Sequence, residues 1–192
     1  METHVPTRAE ALALLHEFNA SEPLRRHALA VEAVLRQMAK TRGEDEERWG
    51  VVGLIHDLDY EKFPDQHCKK TPEILRERGW PEEYIRAAVS HGWGICSDCE
   101  PQTTLEKALY AVDELTGLVG AAALVRPSKS LLDLEPKSVL KRFKEKSFAA
   151  KVNREIIQQG AERLGVPLPA LVAEVIAGMR AVAAELGLKG NL

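Results

Sequence analysis

Apolar residues along this chain recur three or four positions apart, the spacing of one helix face, and nowhere alternate with polar residues over a strand's length. A chain patterned this way buries its apolar surface by packing helix on helix, so the fold class is all-α, a compact multi-helix bundle. Ser21, Glu22 and Pro23 supply an N-cap, an acidic first turn and an early proline. The helix they open carries the stripe Leu24, Ala28, Val31, Val34, Leu35 and Met38. Glu44 to Glu47 give an acidic first turn to another, running through Val51, Val52, Leu54 and Ile55. Thr71, Pro72 and Glu73 open a short helix that Gly79 closes, and Pro81 starts one ending near His91 and Gly92. Thr103 or Thr104 opens a long apolar helix through Leu105, Leu109, Val112, Leu115 and Leu118. Glu135 and Pro136 start a basic helix, Ser147 opens the next, which Gly165 closes, and Pro169 begins a last one ending at Gly187. Residues 126–135 form the longest loop, and no proline- or glycine-rich linker appears.

Length and charge narrow the class. The 192 residues suffice for one domain with a sizeable core, and the net charge of −3 gives no nucleic-acid signal. No apolar run reaches the roughly 20 residues that span a bilayer. The segment Met1 to Pro6 lacks the basic-then-apolar pattern of a signal peptide. With three cysteines and no export signal, a reducing cytoplasm is the expected location.

The chemistry begins at His56-Asp57, which closes the apolar run from Trp49 to Ile55. An imidazole and a carboxylate where a buried element ends suit a divalent ion, and a carboxylate is able to bridge two. His27, His67, His91 and Asp113 are further candidates on or beside predicted helices. Asp113 interrupts the apolar stretch Leu109 to Leu115: it either binds a cation, which offsets the cost of burying it, or faces solvent beside Glu114. His4 and His16 lack such partners and are set aside.

The order His27, His56-Asp57, Asp113 resembles the ligand pattern of the HD-domain superfamily of metal-dependent phosphohydrolases. With His67 and His91 it is similar to the two-metal branch of that superfamily. Gly53 to Asp57 matches the helix end that carries the His-Asp pair, and Leu105 to Gly117 resembles the segment bearing the last aspartate. The resemblance covers about residues 20–125. It implies one HD-type domain over 1–192, with a metal-site core at about 20–125 and a C-terminal helical extension at about 126–192. It also implies two divalent ions, iron, manganese or another first-row metal. His27, His56, Asp57 and Asp113 would hold one, and Asp57, His67 and His91 the other. Asp57 would then be the catalytic bridge that positions a metal-bridged hydroxide for in-line attack on phosphorus.

Many relatives continue the pair into Ile-Gly-Lys, whose lysine assists the leaving group. Here Leu58, Asp59 and Tyr60 follow instead, leaving Lys62, Lys69 or Lys70 as substitutes. Lys70, Arg126 and Lys129 are the candidate substrate-binding residues; the turn at Arg126 to Lys129 places two cations and Ser128 together. The implied partner is a small phosphorylated molecule such as a nucleotide, with no membrane, and a homo-oligomer is left open. Two other readings stand beside hydrolysis: a di-iron oxygenase using the same six ligands, and a metal-dependent nucleotide sensor without turnover. Cys96-Ser-Asp-Cys99 is read as two incidental loop thiols rather than a zinc or redox motif. The basic helix of Lys137, Lys141, Arg142, Lys144 and Lys146 reads as a solvated face, and Trp49, Trp80 and Trp93 as core or rim packing.

Overall fold

In the computed structural model, which describes residues 4–192, nine α-helices form around one apolar core and no strand occurs among the described residues. Met1 to Thr3, the start of the segment read for a signal peptide, lie outside the described residues. The helices are α1 (Arg8–Phe18), α2 (Glu22–Arg42), α3 (Glu46–Ile55), α4 (Lys70–Glu77) and α5 (Glu82–Val89). They continue as α6 (Thr104–Leu124), α7 (Pro136–Lys144), α8 (Arg154–Leu164) and α9 (Leu168–Ala181). Short 3-10 turns, Pro64–Gln66 and Ser90–Gly92, join the middle helices. The all-α class holds.

The long helices α2 and α6 are the axis of the fold. Thr103 caps α6 through a reciprocal box: its hydroxyl accepts from the Glu106 N–H, and the Glu106 carboxylate accepts from the Thr103 N–H. Around this axis, glycines let neighbouring backbones approach. A Cβ on Gly53 of α3 would sit 2.8 Å from the Cα of Glu32 on α2. A Cβ on Gly160 of α8 would sit 2.5 Å from the Cα of Ala111 on α6, and one on Gly178 of α9 2.6 Å from that of Val34 on α2. Each contact sets the spacing of a helix pair, and the first brings the end of α3 against the middle of α2. Glu32, buried beside it, is neutralised by Arg8 at 2.6 Å and Arg36 at 2.9 Å.

Two boundaries differ from the sequence pattern. Ser147 does not open α8; Asn153 does, its side chain accepting from the Glu155 and Ile156 N–H groups. Residues 145–152 instead fold as turns around the Arg154 guanidinium, which donates to the carbonyls of Phe143, Glu145, Phe148, Ala149 and Val152. Ala149, at φ +44°, adopts the left-handed conformation that breaks a helix. The last helix ends at Ala181 rather than Gly187, because the chain turns to meet the 126–134 loop, where Leu131 N–H donates to the Leu188 carbonyl. No single helix among the described residues is long and apolar enough to cross a membrane.

Candidate metal centre

The same local device presents two of the histidines. His56 ends α3 and His91 follows α5, and each turns its Nδ1–H back to the carbonyl three residues earlier, Gly53 at 2.8 Å and Ala88 at 2.6 Å. This satisfies a carbonyl left without an intrahelical partner and aims Nε2 away from the helix. His67 is fixed by a carboxylate instead: its Nδ1–H donates to Asp59 Oδ1 at 2.8 Å. His27 on α2 sets Nδ1 3.5 Å from Thr116 Oγ1, whose own hydroxyl donates to the Asp113 carbonyl. Four imidazoles therefore point their Nε2 atoms into one space.

Asp57 divides that space. Its Oδ2 faces His27 Nε2 at 3.6 Å and His56 Nε2 at 3.5 Å, while its Oδ1 faces His91 Nε2 at 3.2 Å and His67 Nε2 at 3.5 Å. Asp113 on α6 completes the first group, with Oδ1 2.9 Å from His27 Nε2 and 3.4 Å from His56 Nε2. Bonds of about 2.0–2.2 Å to a shared ion put neighbouring donors about 3 Å apart, the spacing seen here. The proton inventory points the same way. His67 and His91 have their Nε2 atoms 3.2 Å apart, as do His27 and His56. With Nδ1–H groups already donated, neutral rings would set lone pair against lone pair, so a cation or extra proton belongs between them. The donor set fits a metal.

The family model described as HD domain matches residues 24–118, the segment that holds all six side chains. The chain carries an HD domain. This agrees with the metal-dependent superfamily that the sequence resembles. HD domains bind divalent metals, and here His27/His56/Asp57/Asp113 and Asp57/His67/His91 could hold them, with His67/Cys68/Cys96 a third such group beside them. No curated protein and no solved structure matches the chain significantly.

Burial and mutual charge set the protonation of the HD-domain site. Burial alone would raise the carboxyls of Asp57 and Asp113, but the facing histidines outweigh it and hold both well below the usual range. The histidines respond in the opposite sense. Burial disfavours their charge, yet the Asp59 hydrogen bond lifts His67 to about 10 and the Asp57 contact lifts His91 to about 9. Asp59 is itself buried, and hydrogen bonds from His67 and the Thr71 N–H overcome that burial and keep it ionised. The same carboxylate takes the Lys70 and Thr71 N–H groups at 3.1 and 2.8 Å, so it caps α4 while orienting His67.

A cleft of about 330 Å³ opens over five of the six residues, with His56 buried beneath them, and is walled by Leu24, Tyr60, Ile95 and Ile156. Lys70, Arg126 and Lys129 are not among the residues lining it. Lys70 pairs with Glu73, Arg126 is held 2.8 Å from Asp133, and Lys129 is exposed on its turn. Lys62 lies over the Phe18 ring at 4.8 Å and Lys69 borders a neighbouring cleft. Asp113 faces the ligand cluster rather than solvent, while Glu114 beside it reaches the cleft edge. Trp49 and Trp80 are core, and Trp93 packs between Arg163 and Tyr110. Sequence reasoning passed over Asp59 and read Cys96 as an incidental loop thiol, whereas the fold brings it against Cys68. The signal for Asp59 was a third acid two positions after Asp57; nothing local revealed that Cys68 and Cys96 meet.

Proposed function

We propose that this protein is a phosphohydrolase that cleaves a small phosphoester, nucleotide-like in size, with two divalent first-row metal ions. The observation that carries this reading is the division of Asp57, one carboxylate oxygen toward each ligand group. When bound, such ions supply Lewis acidity, lowering the pKa of water and neutralising charge on phosphoryl oxygens. The side chains do the rest. Asp57 and Asp113 bring two negative charges that offset half of those on a divalent pair, and Asp59 holds His67 in the tautomer that leaves Nε2 free. Leu24, Ile95 and Ile156 offer apolar contact to the body of a substrate.

No lysine or arginine lines the cleft among the described residues, so anion recognition falls to the ligand cluster itself. That feature also favours a second reading, an iron-dependent oxygenase acting on a substrate without phosphate. One comparison separates them. Metal-loaded protein is offered a panel of phosphoesters aerobically, and iron-loaded, reduced protein is offered dioxygen. Release of phosphate that Asp57→Ala abolishes supports hydrolysis. Dioxygen consumption with no phosphate released from any ester overturns it.

A further inference from the structure

Beside the metal ligands lies a pair of thiols from distant parts of the chain. Cys68 directly follows His67, Cys96 sits in the turn after His91, and their sulfurs are 2.6 Å apart. Both local backbones are shaped for the meeting. Cys68 adopts a left-handed φ of +63°, a conformation that a side chain with a Cβ enters only when its surroundings hold it there. Gly92 lies against the two sulfurs, and a Cβ at that position would collide with both. The Gly92 carbonyl also accepts the N–H groups of Ile95, Cys96 and Ser97, fixing the turn that delivers the second thiol. Cys99, the other half of the C-x-x-C, is not a partner: its Sγ lies 3.7 Å from the Arg86 carbonyl.

Access is unequal in a useful way. Cys68 is buried, whereas Cys96 is half-buried and lines both the metal cleft and the adjoining one. A small oxidant therefore meets Cys96 first, with Cys68 waiting behind it.

We propose that Cys68 and Cys96 form a reversible disulfide in the wall of the metal centre, made by a peroxide and undone by a dithiol. In the first step the Cys96 thiolate attacks the peroxide O–O bond, giving a sulfenic acid and one water from hydrogen peroxide. In the second, the Cys68 sulfur attacks that sulfenic sulfur, the S–S bond forms, and a second water leaves. The two thiols lose two protons and two electrons, and the peroxide accepts them. A dithiol reverses the change by exchange through a mixed disulfide. Resting on the two-metal reading above, oxidation also weakens the position held by Asp57, His67 and His91. It ties the His67 segment to the His91 turn.

The test uses full-length protein loaded with Mn²⁺ and treated with hydrogen peroxide, with phosphate release left out of the readout. Free thiols are expected to fall from three to one, peptide mapping to show a Cys68–Cys96 link, and dithiothreitol to restore all three. Cys99→Ser should still form the link and Cys96→Ser should not. Mn²⁺ affinity at the second position should drop about tenfold on oxidation and recover on reduction. A Cys96–Cys99 link, or sulfinic Cys96 with Cys68 free, overturns the site. A Cys68–Cys96 link that leaves Mn²⁺ binding unchanged overturns its coupling to the metal.

Discussion

At the scale of single residues, metal binding turns on how each imidazole is held. Asp59 is the instructive case, because it touches no proposed ion yet fixes His67 through a 2.8 Å hydrogen bond. Asp59→Asn keeps the shape but loses the charge that fixes the tautomer. Metal affinity at the second position should fall about 10- to 100-fold, measured by competition with a chromophoric chelator, while the first position is spared. His16, on α1 and outside the cluster, is the matched control, and His16→Ala should leave both affinities unchanged. The six clustered side chains could be picked out because their types and order are chemical statements. Asp59 was not, since a buried acid and a solvated one look alike in sequence until the α4 N–H groups it accepts are in place. The same holds for Cys68 and Cys96, which lie 28 positions apart and meet only through the fold.

At the scale of elements, the metal centre depends on helix spacing. His27 and His56 face each other because Gly53 lets α3 press against the backbone of α2. Gly53→Ala should force that pair apart and cost about 1–3 kcal/mol of stability, read from denaturant midpoints. It should also weaken metal binding although no ligand has changed. Asn153→Ala, by contrast, removes a helix cap whose side chain touches none of the six residues and should cost about 1 kcal/mol with metal binding intact. Helix starts marked by side-chain caps or proline, such as Thr103 and Pro81, were legible from sequence. The start of α8 was not, because Ser147 is an acceptable cap by residue type. The Arg154 guanidinium that gathers five carbonyls is a tertiary feature that overrides it.

At the scale of the whole molecule, one core joins the helices that carry ligands to α8 and α9, so charge in the cluster bears on global stability. In metal-free protein His67 and His91 have pKa values raised to about 10 and about 9, above an unfolded value near 6.5. Groups raised on folding stabilise fully below the unfolded value, and that contribution is lost as pH climbs through the folded ones. The melting temperature of metal-free protein should therefore decline from about pH 6.5 toward pH 10. Metal-loaded protein should not show that decline, since a cation replaces the protons and binds better as they leave. The all-α class was visible from the 3.6-residue pattern alone; which helices approach closely enough to build a site was decided by glycines facing backbones.

If Asp57 joins two metal positions, the metal content of each chain reveals it. Elemental analysis after loading with excess Mn²⁺ and gel filtration should give about two ions for the wild type and about one for His67→Ala or His91→Ala. Asp57→Ala should retain almost none. About one ion in the wild type, unchanged in the His67 and His91 variants, would contradict the account.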